Sequence, residues 1–264
     1  MNDALAAEDL LVAVCPNGRR IHLAPGDQRG ERLRECHGNL NPWSLKAWQL
    51  LVASDWTDII DVGANYGEML LNLDIPPSVR CIAVEPNPSL ATLLKRSLAE
   101  AGLDVRVEEK ALGRAEGTLP LLVDDTWSGL SKLGTEHHAE SGGHTVRQLE
   151  VPVTTLASLI DDGRKLSDKR VLVKVDVEGW ECDVLRGLHG LGDQLADLVI
   201  LLEILHLSQE DIDWLVSRFQ PEVFDRITGA FIPIQGNGAR LSAVLRTAAF
   251  HTQDVVLRRR HVPR

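Results

Sequence analysis

Asp61-Val62-Gly63-Ala64-Asn65-Tyr66-Gly67 is the stretch that decides the fold of this chain of 264 residues. An apolar run over residues 56–60 precedes it, and residues 68–73 continue it with the composition of a helix. A strand, a glycine-containing turn and a helix in this order form the first ligand-binding loop of a doubly wound sheet. Because glycine lacks a Cβ, Gly63 and Gly67 allow positive φ angles and a close approach of a ligand to the backbone.

The spacing of the glycines narrows the class of ligand. A dinucleotide-binding loop has the pattern G-x-G-x-x-G, whereas this loop reads D-x-G-x-x-x-G and has Asn65 where the middle glycine would stand. The difference argues against NAD. The pattern resembles the first motif of class I S-adenosylmethionine-dependent methyltransferases, and this resemblance implies that the turn holds the methionine and ribose parts of that cofactor.

A second acidic position follows the next apolar run, residues 80–84. Glu85 ends this predicted strand, where a carboxylate suits the two hydroxyls of a ribose. Asn87 and Pro88 then open a helix, since proline fits the first helical turn. Ala111 follows a third strand, at the position where class I enzymes receive the adenine.

The third motif identifies the family. Residues 171–185 read VLVKVDVEGWECDVL, which resembles the K-x-D-x-E-G-x-E signature of the FkbM family of methyltransferases. Together with the first motif and residues 84–88, 110–113 and 127–131, the resemblance covers roughly residues 55–260. It implies an α/β fold with a Rossmann-like, doubly wound, seven-stranded methyltransferase sheet.

The alternation of strands and helices after residue 55 independently predicts a mostly parallel sheet with helices on both faces. Asn17-Gly18 between two apolar runs predicts a β-hairpin. We therefore expect an N-terminal β-hairpin extension over residues 1–40 and a class I methyltransferase domain over residues 41–264. Residues 117–123 and 149–153 read as the strands of a hairpin-like insertion.

Acidic residues end several of the predicted strands. Because ligands of open α/β sheets bind at the carboxyl ends of the strands, Asp61, Glu85, Asp176, Glu178 and Glu203 should converge on one crevice. Carboxylates there would offset the charge of a sulfonium cofactor. The residues expected to bind S-adenosyl-L-methionine are Asp61, Gly63, Asn65, Gly67, Glu85, Asn87, Ala111 and Asp176.

The FkbM resemblance implies O-methylation of a hydroxyl on a small molecule, sugar or natural-product intermediate. A general base assists an alcohol acceptor, and the catalytic candidates are Asp176, Glu178 and His206, with Asp176 the first choice. Two alternatives stay open. One is a metal-assisted sugar O-methyltransferase in which Asp176, Glu178 or Glu203 holds Mg²⁺, and the other is a non-catalytic binding protein that keeps the cofactor fold.

Composition limits the partners. A net charge of -10 and a pI near 5.4 argue against nucleic acid or an anionic membrane as a partner. The apolar run over residues 195–207 contains acids and is too short to cross a bilayer. Four cysteines without C-x-x-C pairing, and an N-terminus without a basic region, favour a cytoplasmic protein. Homo-oligomers are compatible with the sequence.

The histidine-containing loop 134–144 is expected to be a mobile lid and not a metal site.

Overall fold

The computed structural model describes residues 11–134, 144–247 and 253–260. Most of the loop expected to act as a lid, residues 135–143, lies outside the described residues. The strands are β1 Leu11–Val14, β2 Arg20–Leu23, β3 Asp58–Val62, β4 Arg80–Val84, β5 Val105–Glu108, β6 Ala111–Leu112, β7 Gly117–Asp124, β8 Lys132–Leu133, β9 Val146–Thr154, β10 Arg170–Val175, β11 Asp197–Glu203, β12 Phe219–Asp225, β13 Ala230–Pro233 and β14 Asp254–Arg259. The α-helices are α1 Gln28–Glu35, α2 Pro42–Val52, α3 Glu68–Leu71, α4 Pro88–Glu100, α5 Leu156–Ile160, α6 Glu181–Arg186, α7 Gln209–Arg218 and α8 Gly238–Leu245.

The central sheet confirms the predicted fold class. Its strand order is β13-β12-β14-β11-β10-β3-β4-β5. The pairs from β11 through β10, β3 and β4 to β5 are parallel, and β14, β12 and β13 continue the sheet in antiparallel pairs. The chain runs outward from β3 to β5 and then returns to β10 beside β3. A topological switch point therefore lies between β3 and β10, where open α/β sheets bind ligands.

Within the described chain this sheet has eight strands, one more than the seven expected. The additional edge strand is β13, which pairs with β12 after a short turn. Asp225 stabilises the turn by accepting a hydrogen bond of 2.8 Å from the backbone N–H of Ile227. Because β13 is short, largely exposed and ends in a proline, its sequence has no strand signal comparable to that of the buried strands.

Alternate residues of the central strands pack into two separate cores. Ile60, Val173 and Ile200 face one core together with α5, α6 and α7. Ile59 and Leu172 face the other, which also contains residues of α2, α4 and the β1–β2 hairpin. Strands buried on both faces explain the nearly continuous apolar runs of the sequence.

The insertion and the N-terminal segment flank the carboxyl end of the sheet. In the insertion, β7 pairs antiparallel with β9 and with β8, as a hairpin-like arrangement requires. The β1–β2 hairpin is antiparallel, with Leu11 opposite Leu23. The helix α1 follows this hairpin and begins at the N-cap residue Asp27.

A network of ion pairs lies at the opposite end of the sheet, where the parallel strands begin. Asp58, the first residue of β3, is fully buried and pairs with Arg80 and, at 2.6 Å, with Arg164. Asp162 accepts a hydrogen bond of 2.5 Å from Lys169. Burial alone would raise the pKa of Asp162, but hydrogen bonds from Arg164 and Lys169 hold it well below the usual range. The described residues contain no helix that is long and apolar enough to cross a membrane.

Candidate active site

A cavity of about 270 Å³ opens at the carboxyl ends of β3, β4, β10 and β11. We call it the main cavity. Most of the residues predicted to form the site line it, namely Gly63, Asn65, Glu85, Ala111, Asp176, Glu178, Glu203 and His206. The N-terminal segment and the insertion complete the wall with Arg29, Leu40, Asn41, Leu121, Trp127, Ser128, Ser131, Lys132 and Leu133.

Three predicted cofactor residues do not line the main cavity in the described part of the chain. Gly67 faces α4, where a Cβ would overlap the side chain of Leu94. Asn87 is buried and caps α4 by accepting a hydrogen bond of 3.1 Å from the backbone N–H of Ser89. Asp61 is fully buried in β3, directly opposite Lys174 of β10. Gly67 and Asn87 thus support the loops around the cavity, whereas Asp61 lies within the sheet.

The glycine turn brings two loops into contact. Gly63 has φ +82°, and a Cβ at this position would overlap the backbone carbonyl oxygen of Asp176. Asn65 also has a positive φ, 48°, and the Oδ1 atom of its side chain accepts a hydrogen bond of 2.9 Å from the backbone N–H of Tyr66. The loop after β3 therefore lies directly on the loop after β10, and a glycine is required where they touch.

Glu85 is held by the backbone of both neighbouring loops. Its Oε2 accepts a hydrogen bond of 2.8 Å from the N–H of Asn65, and its Oε1 accepts one of 2.9 Å from the N–H of Asn87. Burial raises the pKa of Glu85 to about 7, although these two hydrogen bonds act in the opposite direction. The carboxylate is thus oriented at the cavity wall before any ligand arrives.

Asp176 forms an ion pair at the floor of the main cavity. Its Oδ2 accepts a hydrogen bond of 2.9 Å from Lys174 Nζ, and Lys174 itself is almost completely buried. Burial would raise the pKa of Asp176, but the charge and hydrogen bond of Lys174, with the charge of Arg29, hold it below the usual range. Asp176 is therefore a stable anion, which makes it a weak proton acceptor.

Glu178 and His206 form a second pair at the same cavity. Glu178 Oε2 lies 2.8 Å from His206 Nε2. Burial, followed by the neighbouring charges of Asp176 and Glu181, raises the pKa of Glu178 to about 8. This carboxyl group therefore exchanges protons close to neutral pH, as a general acid or base must.

The backbone at Glu178 is strained. Its φ is +56°, a left-handed conformation that costs a residue other than glycine about 1 kcal/mol or more. Glu181, which is fully buried, holds this loop by accepting hydrogen bonds of 3.1 Å and 3.0 Å from the N–H groups of Val177 and Gly179. The loop thus keeps Glu178 directed at the cavity in spite of the strain.

A smaller cavity of about 40 Å³ adjoins the main one, and we call it the inner cavity. Arg29, Glu68, Lys174, Asp176, Glu203 and Asp254 are among its lining residues. Burial raises the pKa of Glu203 to about 9 and that of the neighbouring Asp61 to about 6. In the described residues, both carboxylate oxygens of Asp61, Oε2 of Glu68 and Oε2 of Glu203 are buried without a hydrogen-bond partner.

Sequence reasoning missed the contribution of α1. Asp27 accepts hydrogen bonds from the N–H of Arg29 at 3.0 Å, the N–H of Ser128 at 3.1 Å and the hydroxyl of Tyr66 at 2.5 Å. One carboxylate therefore connects α1, the glycine turn and the insertion. The local signal was a helix N-cap at Asp27, which predicts the helix and not the partners across the cavity.

The buried, unpaired carboxylate oxygens fit a cationic ligand, and the oriented Glu85 fits a ribose. In the described segments, no group of three or more His, Cys, Asp or Glu residues could hold a metal ion. The doubly wound sheet, with a glycine turn and converging acids at its switch point, has the class I methyltransferase fold that the sequence predicts.

The chain belongs to the FkbM methyltransferase family, because the family model described as "Methyltransferase FkbM domain" matches residues 61–229. These methyltransferases depend on S-adenosylmethionine, so the family and the cofactor expected from the sequence are both confirmed. The matched region excludes Asp27 and Arg29.

Two curated relatives are similar to this chain. "Methyltransferase 1" of Beauveria bassiana is 27% identical over 171 residues, which are 59% of this chain and 68% of that protein. "Methyltransferase sdnD" of Sordaria araneosa is 30% identical over 158 residues, or 49% of this chain and 60% of that protein.

Among solved structures, an O-methyltransferase, TomG from Streptomyces achromogenes, is 12% identical and aligns with a TM-score of 0.45. The alignment covers 88% of this chain and 87% of that one.

Proposed function

We propose that this protein transfers a methyl group from S-adenosylmethionine to a hydroxyl of a small molecule, sugar or natural-product intermediate. The observation that carries the proposal is the 2.8 Å contact between His206 Nε2 and Glu178 Oε2 at the mouth of the main cavity. A histidine paired with a carboxylate is an arrangement suited to removing a hydroxyl proton. Transfer to an amine that is already neutral has less need of such a base.

The cofactor supplies a methyl group on a sulfonium, which is a good leaving group. In our proposal Gly63 and Asn65 contact its methionine part and Glu85 binds the ribose hydroxyls, while Ala111 lies at the adenine. Gly67 and Asn87 support these loops, as their contacts indicate. Asp176, held as an anion by Lys174, offsets the positive charge.

His206 is the base in this proposal. When its Nε2–H donates to Glu178, the lone pair on Nδ1 is available to the acceptor. His206 then takes the hydroxyl proton at Nδ1, and Glu178 stabilises the imidazolium that results. Asp176 was the first choice from sequence, but its ion pair with Lys174 makes it the weaker base.

The acceptor is a hydroxylated small molecule, and we place the enzyme in the cytoplasm because its four cysteines are all free thiols. The first experiment is a calorimetric titration with S-adenosylhomocysteine and, separately, with NAD. We expect saturable binding of S-adenosylhomocysteine alone. Binding of NAD, or of neither compound, would contradict the assignment of the cavity.

The second experiment supplies S-adenosylmethionine and a panel of alcohols, phenols, sugars and amines, and identifies products by mass spectrometry and NMR. We expect methyl ethers as products. His206→Gln and Glu178→Gln should keep the affinity for S-adenosylhomocysteine and lose turnover at saturating cofactor by about 100-fold or more. Methylation only at nitrogen, sulfur or carbon, or full turnover in both variants, would refute the O-directed proposal.

A further inference from the structure

Arg29 is a buried cation in a site otherwise dominated by acids. Its side chain is 12% exposed, and it lines both the main and the inner cavity. It comes from α1, outside the region that the family model matches. Burial would lower the pKa of Arg29, but the charge of Glu68 beside it raises it, so the guanidinium stays charged.

The known contacts of Arg29 leave part of its guanidinium free. Nη1 donates a hydrogen bond of 2.9 Å to Asn65 Oδ1, and Nη2 donates one to Glu68 Oε1. A guanidinium carries five N–H groups. Three of them therefore have no acceptor among the described residues, although the group lies at the boundary of two cavities.

Some carboxylate oxygens near Arg29 accept no hydrogen bond. Oε2 of Glu68 and Oε2 of Glu203, two residues that line the inner cavity together with Arg29, are buried without partners in the described chain. Buried polar atoms are normally paired, so unused acceptors beside unused donors indicate a ligand that carries both charges. An α-amino acid group is such a ligand, because its ammonium donates hydrogen bonds and its carboxylate accepts them.

We propose that Arg29 binds the carboxylate of the amino-acid end of S-adenosylmethionine and that Glu68 and Glu203 receive its ammonium group. This inference rests on the proposed function, which places that cofactor in the main cavity. It adds a binding subsite, the inner cavity, and a binding residue that lies outside the region matched by the family model.

Two contacts fix Arg29 in position. The N-cap Asp27 holds the first turn of α1 to Tyr66 and Ser128. Gly129 packs closely against the side chain of Arg29, because a Cβ at position 129 would lie 2.9 Å from both Cδ and Nε of Arg29. The guanidinium is thus preorganised, and a ligand need not order it on binding.

The test compares two ligands by calorimetry. S-adenosylhomocysteine and 5′-deoxy-5′-methylthioadenosine share the adenosine and the thioether, but only the first has an amino-acid end. We expect the wild-type protein to prefer S-adenosylhomocysteine. Arg29→Gln should weaken S-adenosylhomocysteine binding by about tenfold or more, the size expected for a charge-assisted hydrogen bond, and leave methylthioadenosine binding unchanged.

Three further variants separate binding from folding. Arg29→Gln leaves Glu68 without its partner, so the double variant Arg29→Gln/Glu68→Gln removes both charges and should show the same selective loss. Arg29→Lys should recover part of the preference, because it keeps the charge and loses the fork geometry. Gly129→Ala, which displaces the guanidinium without changing its charge, should reproduce the loss in Arg29→Gln.

The outcomes distinguish this inference from the proposed function. Equal affinity of the wild-type protein for the two ligands would overturn the role of Arg29 and leave the cofactor assignment intact. An equal loss of both affinities in the two glutamine variants would also overturn it, since Arg29 would then only shape the cavity. Failure of the wild-type protein to bind either ligand would refute the proposed function together with the inference.

Discussion

Binding of S-adenosylmethionine should release protons from the acids of the main cavity, and Glu178 supplies a measurable share. Burial and the charge of Asp176 raise its pKa to about 8. At pH 7 about nine in ten molecules therefore carry a proton on Glu178. A sulfonium cation in the cavity favours the ionised carboxylate, so the proton should leave when the cofactor binds.

The size of the effect follows from the charge interaction. A unit charge at roughly 5 Å contributes about 3 kcal/mol at an effective dielectric constant of ~20, which is about two pKa units. A fall of the pKa from about 8 to about 6 would lower the protonated fraction at pH 7 from about 0.9 to about 0.1. About 0.8 proton per bound cofactor should be released, and the affinity should rise with pH between 6 and 8.

Calorimetry in buffers of different ionisation enthalpy measures this number directly. Glu178→Gln should reduce the release by about 0.8 proton, while Glu203, whose pKa burial raises to about 9, continues to contribute. S-adenosylhomocysteine has no charge on sulfur and serves as the control ligand, with a smaller release. No proton release by the wild-type protein, or the same release in Glu178→Gln, would refute the reasoning.

Four other predictions concern the loops and the stability of the fold. Gly63→Ala should abolish S-adenosylhomocysteine binding. The control is Gly163→Ala, at a similar φ of +84°, where an added Cβ has no atom within 4 Å; this variant should bind normally and lose only about 1 kcal/mol of stability. Equal binding by both variants would contradict this prediction. Asp58→Asn breaks a buried charge network and should lower the free energy of unfolding in urea by about 3–5 kcal/mol, and a change below about 1 kcal/mol would argue against that role. The folded-state pKa of Asp162 is below its unfolded value, so the ionised Asp162 stabilises the folded protein above pH ~4, and this stabilisation is lost as the pH falls further. In Asp162→Asn, the free energy of unfolding should therefore fall less steeply at acid pH than in the wild-type protein. Asp27→Ala removes the acceptor of three hydrogen bonds, so we expect a loss of about 3 kcal/mol and faster proteolysis than in the wild-type protein.

The sequence predicted those parts of the site that depend on local pattern and sheet topology. Gly63 lies in a strand–turn–helix pattern that is complete within a few residues, so its backbone role could be predicted. Glu85, Asp176 and Glu203 end or directly follow parallel strands, and topology alone brings such residues together. The residues that bind the cofactor and perform proton transfer stay predictions, which the variants above test.

The ion pair of Lys174 with Asp176 could also have been inferred from sequence. These residues are two positions apart at the end of a strand, which places their side chains on one face. The contact weakens Asp176 as a base, so the order of the catalytic candidates changes. In contrast, nothing in the local sequence of Glu178 indicates its left-handed backbone, because that conformation depends on Glu181 and the loop it closes.

The role of Arg29 could not be predicted because its partners are distant in sequence. Its bonds reach Asn65 and Glu68 across 36 and 39 positions. Helical periodicity identifies which face of α1 is buried but not which loop that face meets. Only the tertiary arrangement shows that the N-terminal segment contributes to the cavity.

The hydrogen bond between Asp27 and the N–H of Ser128 also orders events during synthesis. The two residues are 101 positions apart, and at ribosomal rates of about 5–20 residues per second this separation takes roughly 5–20 s to translate. During that interval α1 has left the ribosome, but one of its anchoring partners does not yet exist. The contact of α1 with the insertion therefore forms only after residue 128 has been made, later than its contacts with Asn65, Tyr66 and Glu68 become possible.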